Sequence, residues 1–154
     1  MSIDVGAAAP DFALKDQHGQ TVSLSDYRDS KNVLLVFYPW SFSRICTSEM
    51  CEIRDALPRL QKEDSEVVAM SCDAMFTQRA YAEQEGLEYP VLSDFWPHGA
   101  VASAYGVFDD RLGAAIRGSF VIDKAGTVQW CVVNGVGEAR SLDDYQTVLD
   151  RLSV

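Results

Sequence analysis

The 154-residue chain carries 13 basic against 23 acidic side chains, and its formal charge of −10 would repel a nucleic-acid backbone or an anionic membrane surface. Hydrophobic residues at 47% and charged residues at 23% exclude a disordered chain, and the length suits one domain at the rough prior of ~150 residues each. Met1-Ser2-Ile3-Asp4-Val5 shows neither a basic segment nor an apolar run, and no apolar stretch nears the ~18 residues of a membrane span, so a cytoplasmic protein is expected.

In chain order, the first ~30 residues should form a hairpin or loop around the Asp16 to Gln20 turn. Asn32 to Tyr38 (NVLLVFY) is a continuous apolar run ending at Pro39, as in a strand buried on both faces. From Thr47 to about Lys62, Met50, Ile53, Leu57 and Leu60 recur at helical spacing, so a helix begins near Cys46. Glu66 to Ser71 reads as a strand, Met75 to Gln84 as a helix ended by Gly86, and Tyr89 to Leu92 as a short strand. A small helix around Ala100 to Tyr105 follows. Strands at Ser119 to Asp123 and Thr127 to Val132 flank the turn Lys124-Ala125-Gly126, and Ser141 opens a last helix reaching Leu152. The main order, β-α-β-α-β-β-α, predicts a mixed sheet covered by helices.

The four cysteines, Cys46, Cys51, Cys72 and Cys131, are spaced too irregularly for a disulfide framework and point to thiol chemistry or burial. Cys72 and Cys131 fall in or at the end of apolar strands and read as core residues. Cys46 differs because it stands where a buried strand passes into the first turn of a helix. There, unpaired N–H groups and the helix dipole favour a thiolate. His18 and His98 have no cysteine at zinc-ligand spacing, and Gly118 and Gly126 are isolated, so neither a metal nor a nucleotide is expected.

Tyr38-Pro39-Trp40-Ser41-Phe42-Ser43-Arg44-Ile45-Cys46 resembles the peroxiredoxin pattern Pro-x-x-x-Thr/Ser-x-x-Cys, with Pro39, Ser43 and Cys46 at the matching positions. Glu49, three residues on, and Arg117, opening Arg117-Gly118-Ser119-Phe120-Val121-Ile122-Asp123, strengthen the likeness. Ser93-Asp94-Phe95-Trp96-Pro97-His98-Gly99-Ala100, with Ala104-Tyr105-Gly106-Val107-Phe108, is similar to the actinobacterial alkyl hydroperoxide reductase E branch. The resemblance implies a thioredoxin-like fold with an N-terminal extension and no cofactor. It also implies a homodimer that reduces hydrogen peroxide, organic hydroperoxides or peroxynitrite, with thioredoxin or a mycothiol–mycoredoxin couple as reductant.

Under that resemblance Cys46 is the peroxidatic nucleophile. Arg117 stabilises its thiolate and donates to the peroxide, and the Ser43 hydroxyl accepts from the distal oxygen's proton or donates to the proximal oxygen. Pro39, lacking an N–H, roofs the sulfur, and Glu49 orients Arg117 through an ion pair. Ser43 keeps the hydroxyl of the commoner Thr without its methyl group. Trp40 and Phe42 either line the pocket mouth or pack on the core, and Arg44 faces solvent. A thiol–disulfide oxidoreductase would want Cys-x-x-Cys at the helix start, whereas Cys46 and Cys51 are separated by four residues. A redox sensor or holdase using the same cysteine is a further possible role. Cys-x4-Cys resembles the bacterioferritin-comigratory branch, where the second cysteine resolves the sulfenic acid; the reductase E pattern lacks it. Cys51 or an external thiol is therefore the resolving group.

Overall fold

The computed structural model describes residues 3–152. A five-stranded mixed sheet forms its centre, built from β3 (Asn32–Phe37), β4 (Ser65–Ser71), β5 (Val91–Ser93), β8 (Arg117–Ile122) and β9 (Val128–Asn134) in the order β5-β4-β3-β8-β9. β3 runs parallel to β4 and antiparallel to β8, and β8 pairs antiparallel with β9. Two short hairpins lie outside this sheet: β1 (Ala13–Lys15) with β2 (Thr21–Ser23), and β6 (Phe108–Asp109) with β7 (Ala114–Ala115).

β3 is apolar from Val33 to Phe37 because both of its faces are covered. Leu34, Val36 and Tyr38 pack under α1 (Arg44–Leu60), α2 (Met75–Glu85) and α4 (Leu142–Leu152), with Met50, Ile53, Tyr81, Val148 and Leu149. Val33, Leu35 and Phe37 point the other way, toward Phe12, Leu24, Tyr105 and Ala102, the last on α3 (Ala100–Ala104). α2 ends as expected on Gly86, whose left-handed φ of 66° suits a residue without Cβ.

The sheet, its helices and the N-terminal hairpin follow the sequence reading. Several boundaries differ by a few residues, three of them near the site or its sheet. α1 begins at Arg44, two residues before the start expected near Cys46, and Cys46 lies in its first turn as read. Tyr89 and Pro90 precede β5 instead of opening it, and Arg117 and Gly118 belong to β8. The β6–β7 hairpin has no counterpart in the sequence reading, since strands of two residues carry no periodicity.

Register brings the site together. Ser119 of β8 lies opposite Val36 of β3, so Arg117, two residues earlier, sits beside the end of β3 where the chain turns into α1. Gly118 is small for a reason: a Cβ there would come within 2.7 Å of Val107 Cγ1.

Candidate active site

Ser43 is the N-cap of α1, with extended backbone angles of −77° and 153°, which makes Cys46 the third helical residue. The N–H groups of this turn have no intrahelical acceptor, and they aim the positive end of the dipole at whatever lies there. The Ser43 side chain does not cap the helix; its Oγ donates to Trp40 O at 2.9 Å. The hydroxyl proton is thereby committed, leaving the oxygen as an acceptor.

Cys46 is fully buried, and Arg117 Nη1 donates to its Sγ at 3.3 Å. Arg117 is only 2% exposed and is fixed at two more points: Nε donates to Val136 O at 2.8 Å and Nη1 to Glu49 Oε1 at 2.7 Å. Its Nη2 finds no protein acceptor among the described residues. Arg117 also lines a cleft of about 220 Å³ with Trp40, Ser43, Arg44, Ile45 and Val136. Pro39 is buried at the end of β3 and is not part of that wall.

Glu49 is buried one turn beyond Ser43–Cys46 and joins two arginines. Arg140, which no motif in the sequence singles out, donates to Glu49 Oε2 from its backbone N–H (2.7 Å) and Nε (3.0 Å), and to Oε1 from Nη2 (2.8 Å). Its Nη1 reaches Phe37 O, Gly118 O and Ser119 Oγ, which ties the end of β3 to the start of β8 beside Arg117. Burial alone would push the Glu49 carboxyl up; the hydrogen bonds and charge of Arg140, then the charge of Arg117, outweigh it and hold it below the ordinary 4.5. One signal in the sequence bears on Arg140: a buried carboxylate has about four lone-pair sites, more than one arginine fills. Which arginine fills them depends on the tertiary fold.

The loop leading into α1 carries strain. Phe42 has φ of 72°, a left-handed conformation costing a non-glycine residue roughly 1–2 kcal/mol. Its ring meets Tyr81 edge-on at 5.0 Å yet remains 48% exposed, and Trp40 is 38% exposed. Arg44 is exposed.

The other cysteines are placed apart from this cleft. Cys51, half-buried on α1, donates its Sγ–H to Glu85 Oε1 on α2 at 3.4 Å. Burial first, then that carboxylate, pushes the Cys51 thiol up. Cys72 is buried and its thiol is pushed up to about 12, mainly by desolvation. Cys131 is only half-buried in β9, at the margin of the core rather than within it as the sequence suggests, with its Sγ 3.8 Å from Ile3 O.

A buried thiol bonded to a fixed guanidinium, with unspent donors on the far side of that guanidinium and a small cleft next to it, is equipped to break an oxygen–oxygen bond. That puts the protein among the thiol-dependent peroxidases of thioredoxin-like fold. Comparison with known proteins agrees. Residues 5–131 match the family model described as the AhpC/TSA family. The chain is 48% identical over 138 residues to alkyl hydroperoxide reductase E of Mycobacterium tuberculosis, covering 90% of each. It is 35% identical over 158 residues to the chloroplastic 2-Cys peroxiredoxin BAS1 of Hordeum vulgare, covering 96% of this chain and 74% of that one. Among solved structures, peroxidoxin BcpB of Mycobacterium tuberculosis superposes with a TM-score of 0.88 at 29% identity, covering 99% of each chain. The chain belongs to the AhpC/TSA family of peroxiredoxins.

Proposed function

We propose that Cys46 is the peroxidatic cysteine of this peroxidase. Its thiolate attacks one oxygen of a hydroperoxide, the O–O bond breaks, and the second oxygen leaves as hydroxide or alkoxide and takes up a proton. The sulfur keeps the first oxygen as a sulfenic acid. One observation carries the reading: the 3.3 Å contact between Arg117 Nη1 and Cys46 Sγ, made by a guanidinium that also borders the cleft. Arg117 stabilises the thiolate at rest and the leaving oxygen in the transition state, the second being the part that accelerates the reaction.

The Ser43 Oγ accepts a hydrogen bond from the O–H of the bound hydroperoxide, in keeping with its own hydrogen bond to Trp40 O. Glu49 and Arg140 hold Arg117 in place from behind. Pro39 shapes the turn from β3 into α1, where it leaves no N–H to satisfy. Trp40, Ile45 and Val136 give the cleft apolar walls, which supports organic hydroperoxides beside hydrogen peroxide, while the guanidinium of Arg117 on the same cleft suits the peroxynitrite anion.

The sulfenic acid is resolved by Cys51 or by an external thiol, and thioredoxin or a mycothiol–mycoredoxin couple returns the enzyme to its thiol form. No helix among the described residues is long and apolar enough to cross a membrane, in keeping with a cytoplasmic enzyme. Exposed Phe95, Trp96 and Leu112 support a homodimer. His98 ring nitrogens lie 3.1 Å from Phe95 O and 2.7 Å from Gly113 O, drawing these two turns into one apolar face. Stopped-flow peroxide consumption by wild type and Cys46→Ser tests the main claim: the variant should be inactive, and substantial turnover without Cys46 would refute it.

A further inference from the structure

α1 is anchored unevenly. From Glu49 onward it is held by two arginines and by Tyr89 Oη, which donates to Met50 O at 2.8 Å. Before Glu49, the turn rests on the Thr47 N–H to Ser43 O bond, the Tyr81 hydroxyl to Thr47 Oγ1 bond and the Arg117 contact to Cys46. In an intact helix two residues five apart are turned by ~140° and separated by ~7.5 Å along the axis, while a disulfide wants Cα atoms within about 6.8 Å. A Cys46–Cys51 bond therefore forms by unwinding the first turn, and Cys46 is the thiol that travels. Cys51 stays where it is, against α2.

There it meets Glu85. The Cys51 thiol donates to Glu85 Oε1 at 3.4 Å, and Gln84 Nε2 donates to Oε2 at 3.0 Å. Arg54 Nη1 bonds the main-chain oxygen of Glu85 rather than its carboxylate, and Arg54 Nε bonds Asp55. Among the described residues no cation pairs with the Glu85 carboxylate. The other titratable groups around Cys51 are Arg54 and Asp55 on α1, Tyr81 on α2, and Tyr89 before β5.

We propose that Glu85 sets the rate of resolution by holding Cys51 protonated against α2. This rests on the reading that Cys51 is the resolving thiol. In the step concerned, the Cys51 sulfur forms an S–S bond to the Cys46 sulfur, the S–OH bond of Cys46 breaks, and the hydroxide leaves with the Cys51 proton as water. The Cys51 sulfur is oxidised and the Cys46 sulfur reduced, so no further oxidant enters. A carboxylate in that position could also act as the base that takes the proton. However, carboxylates ordinarily titrate several units below thiols, and a base so far from the operating pH gains little. The charge therefore acts as a brake.

The magnitude follows from two opposed effects. For a tenfold gain in thiolate, the nucleophilicity of each thiolate falls by ~3-fold at a Brønsted slope of about 0.4–0.5, leaving a net gain of about threefold. Full-length wild-type and Glu85→Gln proteins, oxidised with one equivalent of hydrogen peroxide across a range of pH, quenched by alkylation and mapped, read this directly. Glu85→Gln should form the Cys46–Cys51 linkage about threefold faster at neutral pH, with the order reversing in alkali, where Cys51 is ionised in both proteins and only the ~3-fold lower nucleophilicity of the variant's thiolate remains. An equal or slower rate at neutral pH overturns the brake while leaving Cys51 as the resolving thiol. So does a gain that persists at every pH, which would be loosened packing. Absence of the linkage in both proteins overturns the brake together with the resolving role. In a Cys46→Ser background, the pH midpoint for alkylation of Cys51 should fall on Glu85→Gln, and an unmoved midpoint also overturns the proposal.

Discussion

Cys46 and Cys51 stand on one helix, five residues apart, and meet opposite charges. The first faces the Arg117 guanidinium at 3.3 Å, in a turn whose N–H groups are unspent; the second donates its Sγ–H to the Glu85 carboxylate at 3.4 Å and keeps the proton. Burial does not mark out the peroxide-attacking thiol here, since the more deeply buried of the two is the one proposed to meet the peroxide. What separates them is the sign of the partner and whether that partner also borders a cleft. Arg117 is positive and lines the cleft, whereas Glu85 is an acceptor for the Cys51 thiol.

The comparison breaks most severely at Cys46 itself. Cys46→Ser should lower the peroxide rate by several orders of magnitude, because an alcohol cannot replace the thiolate as attacking group. Arg117→Ala should cost ~10²–10³ in rate, the loss typical of one donor aimed at a developing charge. Raising the pH should recover only part of it; full recovery would leave Arg117 with a role on the resting thiolate alone.

Glu49→Gln tests the support beneath Arg117. Losing one partner of a buried ion pair costs about 3–5 kcal/mol, visible as a lower urea midpoint. The pH dependence has a definite sign. The folded state holds the Glu49 carboxyl below the ordinary 4.5, so the unfolded chain binds that proton more readily. The contribution is full above about pH 5 and is lost as pH falls toward and below the ordinary carboxylate value. Urea midpoints of wild type should drop through that window, and those of Glu49→Gln should drop less.

Smaller effects sharpen the picture. Ser43→Ala should slow the peroxide step about tenfold, the worth of one hydrogen bond to substrate. Cys72→Ser should stay within a few-fold of wild type in stopped-flow assays, since its thiol is pushed up to about 12 by desolvation and lies away from the cleft.

Much of the fold and most of the site are legible in the amino-acid sequence. The NVLLVFY run before Pro39 suits a strand covered on both faces, and the helical spacing of Met50, Ile53, Leu57 and Leu60 puts the start of a helix near Cys46. Arg117 is recognisable through the company it keeps, since nothing local distinguishes it from a strand-end charge. Arg140 is not recognisable. It sits 91 residues from Glu49, in a turn between β9 and α4, and only the β3–β8 register brings its guanidinium to that carboxylate. The orientation of Cys51 toward Glu85 is likewise beyond the sequence. Helical spacing gives the face of α1, but which helix lies against that face is a property of the packed sheet.

The central claim is most directly tested by adding one equivalent of hydrogen peroxide to the reduced protein, trapping sulfenic acid and mapping all four cysteines by mass. Oxidation should appear at Cys46, as the trapped sulfenic acid or as a linkage to Cys51, with Cys72 and Cys131 unchanged. An intact Cys46 thiol beside an oxidised cysteine elsewhere would contradict the account.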